Sequence, residues 1–160
     1  MDINDIAYSL SKVCRFAGHC REFYSVIQHS LLVEEICKTS KLEALLHDAP
    51  EAYITDMPRP IKWYIDGSKY SLLEHSISLV VADALGITYP YPPEVKVADN
   101  ISLAAEASVL IKNYDPEEWG LTEFMDEAAK YTCKIKDGSS NMKKTAKKFL
   151  ARWSQLTVGG

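Results

Sequence analysis

Apolar residues in this chain return every three or four positions through most of its length, and runs of strict alternation are nearly absent. A period of three to four lines up side chains on one face of an α-helix, whereas a half-buried strand needs a period of two. The pattern predicts an all-α fold, a helical bundle, with helices at roughly 3–13, 25–39, 41–52, 58–65, 70–86, 92–113, 121–132 and 141–155. Turn and cap signals agree with these breaks. Ser25 stands before Val26-Ile27-Gln28-His29 as an N-cap acceptor, and Gln28 completes a capping box, which sets His29 in the first turn or so of its helix. Pro58 and Pro60 punctuate the stretch after Asp56, and Pro90, Pro92 and Pro93 precede the helix that carries Asp99.

A chain of 160 residues, 47% hydrophobic and without internal repeats, is expected to form one domain over 1–160. Met1-Asp2-Ile3-Asn4-Asp5 is not a positive region leading into an apolar run, and no later apolar stretch has the length of a membrane span. The expectation is a cytoplasmic protein with no membrane partner. Cys14, Cys20, Cys37 and Cys133 make no CxxC pair and are expected to be reduced core residues. A net charge of −4 repels a nucleic-acid backbone, so no nucleic-acid partner is expected. An anionic small molecule needs local help from a metal ion and a few arginines or lysines aimed into one pocket. The C-terminal segment places Met142, Ala146, Phe149, Leu150 and Trp153 on one helical face, which predicts a final helix docked on the bundle with its lysines in water.

The chemistry-bearing feature is His47-Asp48, set in the apolar run Leu42-Glu43-Ala44-Leu45-Leu46-His47-Asp48-Ala49, where adjacent polar groups are costly to bury unpaired. A metal satisfies both. Neighbouring helical residues project about 100° apart, so one ion meets both only at the helix edge, with other helices completing its shell. His29, beside Leu32, Val33 and Ile36, and Asp99, in Val95-Lys96-Val97-Ala98-Asp99, are polar residues on two such apolar helices. Glu51 falls one turn beyond His47 and Asp48, within reach of a metal-bound water. Asp56 serves either as a second carboxylate for proton transfer or a sugar hydroxyl, or as an N-cap for the segment from Pro58. A structural reading, in which His47 and Asp48 are a buried hydrogen-bonded pair, must treat His29, Glu51 and Asp99 as coincidences.

The order His29, His47-Asp48, Asp99 resembles the H…HD…D signature of the HD-domain metal-dependent phosphohydrolases. The stretch from His47 to Lys62 is similar to the HD-x-x-E-x-x-x-x-D-x-P-x-P-x-K run of their bacterial 5'-deoxynucleotidase branch. Upstream, Cys14-Arg15-Phe16-Ala17-Gly18-His19 and the residues on to Ser30 resemble the compact phage-encoded dATP triphosphohydrolases. The likeness covers roughly residues 1–113. It implies an HD-domain bundle in which His29, His47, Asp48 and Asp99 hold one divalent ion, Glu51 handles the attacking water, and Asp56 lies near deoxyribose and phosphate. It further implies that Arg15 and Lys62 contact phosphate, with Phe16, Gly18 and His19 near sugar or base.

Two imidazoles with two carboxylates suit a transition ion such as Zn, Co or Mn, and Mg can accompany a triphosphate. Such an ion lowers the pKa of a water and polarises a phosphoryl oxygen. The expected reaction is hydrolysis of dATP to deoxyadenosine and triphosphate, with release of phosphate from deoxynucleoside monophosphates as the alternative. A regulatory module that binds a nucleotide without turnover is the second alternative, and intact Glu51 and Asp56 speak against it. Lys96 or Lys112 is a candidate for the distal phosphates, and Phe16 or Tyr24 for stacking on a base. The resemblance implies a homo-oligomer, dimer to hexamer.

Overall fold

In a computed structural model, the helix carrying His29 lies at the centre of an all-α fold. The structure describes residues 1–65, 67–135 and 141–158, less the side chains at 59, 60, 63, 67 and 68. The helices are α1 (Ile3–Leu10), α2 (Val26–Ile36), α3 (Lys41–Leu46), α4 (Glu51–Ile54), α5 (Arg59–Tyr64), α6 (Gly67–Leu85), α7 (Pro93–Leu110), α8 (Met125–Ala128), α9 (Thr132–Ile135) and α10 (Met142–Val158). Among the described residues, pairing of extended backbone is limited to an isolated bridge between Cys14 and Ser25. None of the described helices is long and apolar enough to cross a membrane.

α2 is apolar on nearly every side because it is packed on every side. Ile27 and Leu31 join Ile6, Leu10, Leu45, Leu46 and Phe149 in one buried cluster formed with α1, α3 and α10. Leu32, Val33 and Ile36 face a second cluster with Val95, Ala98, Ala104 and Leu121 of α7 and the segment after it. His29 sits between the two layers, fully buried. α10 docks as expected. Thr145, Ala146 and Phe149 are buried, Lys143, Lys144, Lys147 and Lys148 stay in water, and Arg152 reaches Glu34 at 2.6 Å and 3.2 Å. Met142 departs from the expected apolar face and is exposed at the helix start.

Other elements differ from the sequence expectation, each for a local reason. The first helix stops at Leu10 instead of running to 13, because Lys12 N–H turns back to Ser9 O at 2.9 Å in a tight turn. The segment expected as one helix over 121–132 is a 3-10 turn at Thr122–Phe124 followed by the short α8 and α9. Its breaks are closed by bonds to the third residue back, such as Phe124 N–H to Leu121 O at 3.0 Å and Tyr131 N–H to Ala128 O at 3.0 Å. They keep Leu121, Ala128 and Ile135 buried in the cluster with α7. The helix expected over 41–52 is also interrupted, and that interruption shapes the site. The four cysteines are free thiols, but only Cys37 lies in the core; Cys14 and Cys20 are half-buried and Cys133 is exposed.

Candidate metal centre and its cleft

Pro50 breaks the helix that carries His47 and Asp48. Having no N–H, it cannot continue the ladder, and the chain tightens around it. Ala49 N–H bonds Leu46 O at 2.9 Å, Glu51 N–H bonds Asp48 O at 3.0 Å, and Tyr53 N–H bonds Pro50 O at 3.0 Å, each a step of three residues instead of four. In such a turn residues three apart eclipse, so Glu51 follows directly above Asp48. His29 is delivered by the start of α2, where the Gln28 side-chain carbonyl accepts from Ser25 N–H at 3.0 Å and from Ser25 Oγ at 2.9 Å. α7 contributes Asp99, Ser102 and Glu106, which share a face at three- and four-residue spacing.

These elements converge on one point. His29 Nε2 and His47 Nε2 face each other at 3.3 Å. Asp48 Oδ1 lies 3.2 Å from His47 Nε2, Asp48 Oδ2 lies 3.4 Å from His29 Nε2, and Asp99 Oδ1 lies 3.2 Å from His29 Nε2. Both rings are anchored through their other nitrogen. His47 Nδ1 donates to Ala44 O at 2.8 Å, since a carbonyl can only accept, and His29 Nδ1 donates to Glu106 Oε1 at 2.8 Å. In the neutral rings both Nε2 atoms are then lone pairs pointed at each other and at two carboxylates. Only a cation, a proton or a metal ion, reconciles four converging acceptors. The donor atoms of His29, His47 and Asp48 lie within 4.8 Å of one another, and Asp99 adjoins them through His29. Two nitrogens and two carboxylates fit a transition ion.

The charges respond to this crowding. Burial and Arg15 oppose a protonated His29, but Glu106 and Asp99 outweigh them and raise its pKa to about 10. Burial alone would raise Asp48, yet His47, His29 and Arg15 hold it well below the usual carboxylate range. Asp99 is held well below it too, its burial outweighed by its bond to His29. Glu51 moves the other way, pushed well above its ordinary value by burial and by Asp48 and Asp56. Its Oε2 is buried without a hydrogen-bond partner among the described residues. Asp56 is raised by burial, against the pull of Arg15 and with the push of Asp48. Its side chain turns to Arg15 Nη1 at 3.7 Å, while Pro58 occupies the cap position of α5, so Asp56 does not serve as that helix's cap. The turn is made at Thr55, whose φ of 63° is a left-handed conformation that a β-branched residue rarely adopts.

A cleft of about 1030 Å³ opens over the cluster. Arg15, Phe16, His19, His47, Asp48, Glu51, Asp56, Lys62, Lys96 and Asp99 all line it. Phe16, Ala17 and Gly18 have φ of 56°, 50° and 81°, three successive left-handed residues that curl the loop carrying Arg15 over the cleft. Gly18 itself is not among the lining residues, so its contribution is that curl and not a sugar or base contact. Tyr24 is buried in the core and cannot stack on a ligand, and Lys112 does not line the cleft. Lys62 Nζ lines the wall but donates to Glu74 Oε1 at 2.8 Å, and Lys96 Nζ donates to Asp99 Oδ2 at 2.6 Å. The side chains of Arg59 and Pro60 from the His47–Lys62 motif lie outside the described residues.

Several lining groups escaped the sequence reading. Trp119 packs 6.3 Å from Phe16 across the mouth, and Ser71, Glu74, His75 and Ser78 form a polar stripe of α6 along one wall. Beneath the cluster lies Glu106, fully buried in Ala104-Ala105-Glu106-Ala107. The signal that singled out His47-Asp48, a charged residue in an apolar helical run, was present there too.

No family model matches the chain. It is 45% identical over 105 residues to the uncharacterized protein YfdR of Escherichia coli, a match covering 65% of this chain and 58% of that protein. It is 36% identical over 121 residues to the uncharacterized protein RCAP_rcc00048 of Rhodobacter capsulatus, covering 67% and 61% respectively. The chain thus spans about three-fifths of the length of these curated relatives.

Proposed function

We propose that this chain is a metal-dependent phosphohydrolase of the HD-domain type acting on deoxyribonucleotides. One observation carries the reading: two imidazoles anchored through Nδ1 turn their Nε2 atoms towards each other and towards two carboxylates, with His47, Asp48 and Asp99 lining a nucleotide-sized cleft and His29 buried beneath them. A divalent ion bound there by His29, His47, Asp48 and Asp99 supplies a Lewis acid and lowers the pKa of a water.

The protein's own groups supply the rest. Glu51 is the base: its free Oε2 accepts a proton from the attacking water, and its raised pKa makes it a strong acceptor once ionised. Water oxygen bonds to phosphorus, the bond from phosphorus to the 5'-oxygen breaks, and the proton passes to that oxygen, with Asp56 beside Arg15 as the second carboxyl. Arg15 offers Nη1 to the phosphoryl oxygens.

The charge of the cleft favours a monophosphate over dATP as substrate. Among the described lining residues the permanent cations are Arg15, Lys62 and Lys96, and each already faces a carboxylate. Six carboxylates line the same cleft: Asp48, Glu51, Asp56, Glu74, Asp99 and Glu118. A triphosphate tail would have to break these pairs or bring its own Mg. The deoxyribose preference and a homo-oligomeric state rest on the resemblance.

The test is chromatographic product analysis of Co²⁺-, Mn²⁺- or Zn²⁺-reconstituted protein with deoxynucleoside mono-, di- and triphosphates, with Glu51→Gln alongside. Phosphate from monophosphates supports this reading. Deoxyadenosine with intact triphosphate from dATP selects the triphosphohydrolase. Absence of turnover with every ion leaves the regulatory module.

A further inference from the structure

Glu106 has no part in the chemistry above, yet it is the most deeply buried carboxylate touching the site. A carboxylate surrounded by alanines has to be satisfied by hydrogen bonds and countercharge. Its two oxygens are divided between His29, buried beneath the cleft, and Arg15, which lines it. Oε1 accepts from His29 Nδ1 at 2.8 Å and from Ser102 Oγ at 2.9 Å, and Oε2 accepts from Arg15 Nη2 at 3.1 Å. A carboxylate present only to neutralise a buried arginine would favour a fork, with both oxygens on one guanidinium. The division is what makes Glu106 informative.

One bond orients a ring that faces the cluster and the other a guanidinium that faces the cleft. The bond to Nδ1 fixes the His29 tautomer, turning its Nε2 lone pair towards His47, Asp48 and Asp99. The bond to Nη2 holds Arg15 by one edge. Its Nη1 stands 4.0 Å from Asp48 and 3.7 Å from Asp56, ion-pair separations longer than hydrogen bonds, so its hydrogens are available to an incoming anion. His47 differs: its Nδ1 is held by Ala44 O of its own turn, a neutral and purely local partner. α7 therefore clamps the His29 ring from both sides, with Asp99 at Nε2 and Glu106, two turns on, at Nδ1.

We propose that Glu106 is a positioning residue that ties the His29 imidazole to the Arg15 guanidinium, so that holding the ion and holding the substrate phosphate are linked through one carboxylate. This rests on the metal-dependent reading above. Glu106→Gln separates it from a merely structural role, because an amide presents one acceptor and one donor. Whichever way the amide turns, its NH₂ meets a donor N–H of His29 or of Arg15.

The experiment is calorimetric titration of Co²⁺ into metal-stripped protein, then of inorganic phosphate into the Co²⁺-saturated protein, for wild type, Glu106→Gln, Arg15→Ala and the double variant. Positioning predicts Co²⁺ binding weaker by about 10–100-fold in Glu106→Gln. It also predicts weaker phosphate binding in that variant, and no further loss when Glu106→Gln is added to Arg15→Ala. A folded Glu106→Gln protein of lower Tm whose Co²⁺ and phosphate affinities match wild type overturns the proposal. Additive phosphate losses overturn the link to Arg15. Should Glu106→Gln fail to fold, Ser102→Ala removes one bond to Oε1 without changing charge; a Co²⁺ affinity a few-fold weaker upholds the proposal and an unchanged one overturns it. These readouts need no turnover. Wild type that binds Co²⁺ yet hydrolyses no nucleotide sinks the phosphohydrolase reading alone, and wild type that binds no Co²⁺ sinks both.

Discussion

Free of metal, this protein should show a stability that depends on pH in a range where most proteins are indifferent. His29 is fully buried, and without an ion its proton is what reconciles the converging acceptors. Its pKa rises from 6.5 to about 10 on folding. A raised folded-state pKa contributes stability that is fully present below the unfolded value and is lost as pH climbs towards the folded one. The whole effect amounts to about 5 kcal/mol, of which about 2 kcal/mol disappears between about pH 6.5 and about pH 8.5. For a chain of 160 residues that is a fall in Tm of about 4–8 °C. Glu51, also raised, acts in the same direction, whereas Asp48 and Asp99 are lowered and lose stability only in acid. Co²⁺ replaces the proton, so loaded protein should lose less, and the gap between loaded and stripped protein should widen with pH. The assay is thermal unfolding of both forms across this range, with His29→Gln as the control that abolishes most of the slope. A stripped wild type whose Tm stays level or rises between pH 6.5 and 8.5 refutes the protonated-cluster argument.

Three further outcomes follow from the same geometry. Glu51→Gln should keep its bound ion but lose about 10²–10⁴-fold in kcat, measured by metal content and steady-state rates; a near-normal rate rules out Glu51 as the base. Pro50→Ala restores the missing N–H and lets the helix run on, rotating Asp48 and Glu51 away. It should change urea stability by less than about 1 kcal/mol while weakening Co²⁺ binding by about tenfold or more, and unchanged affinity would mean that the break does not aim the ligands. Phe149→Ala should cost about 3–5 kcal/mol in urea unfolding, since that ring is wholly buried where α10 meets α1 and α3.

Much of the site was visible in the chain because the signal is local. His29, His47, Asp48 and Asp99 were each polar residues in apolar helical surroundings; the donor atoms of the first three gather within 4.8 Å of one another, and Asp99 adjoins them at His29. Pro50 was equally visible, but the apolar period continues across it, and period alone reads through a break of backbone bonding. Glu106 carried the same mark as His47-Asp48 but stood alone in its run, without a neighbouring polar residue to draw attention. Trp119 had no local mark, because its approach to Phe16 depends on how the chain folds back after α7.

The three-to-four residue period, the cap at Ser25 and the supply of imidazoles and carboxylates are properties of a few neighbouring residues, and the amino-acid order alone determines them. Which atoms meet is not such a property. Only the packing of α2 between α3 and α7 decided that two Nε2 atoms face each other and that Glu106 divides its oxygens between His29 and Arg15, and only the approach of α5 to α6 decided that Lys62 is paired with Glu74. Tautomers, perturbed pKa values and free charge arise from burial and from distances between residues far apart in the chain, and these exist only once the helices have packed.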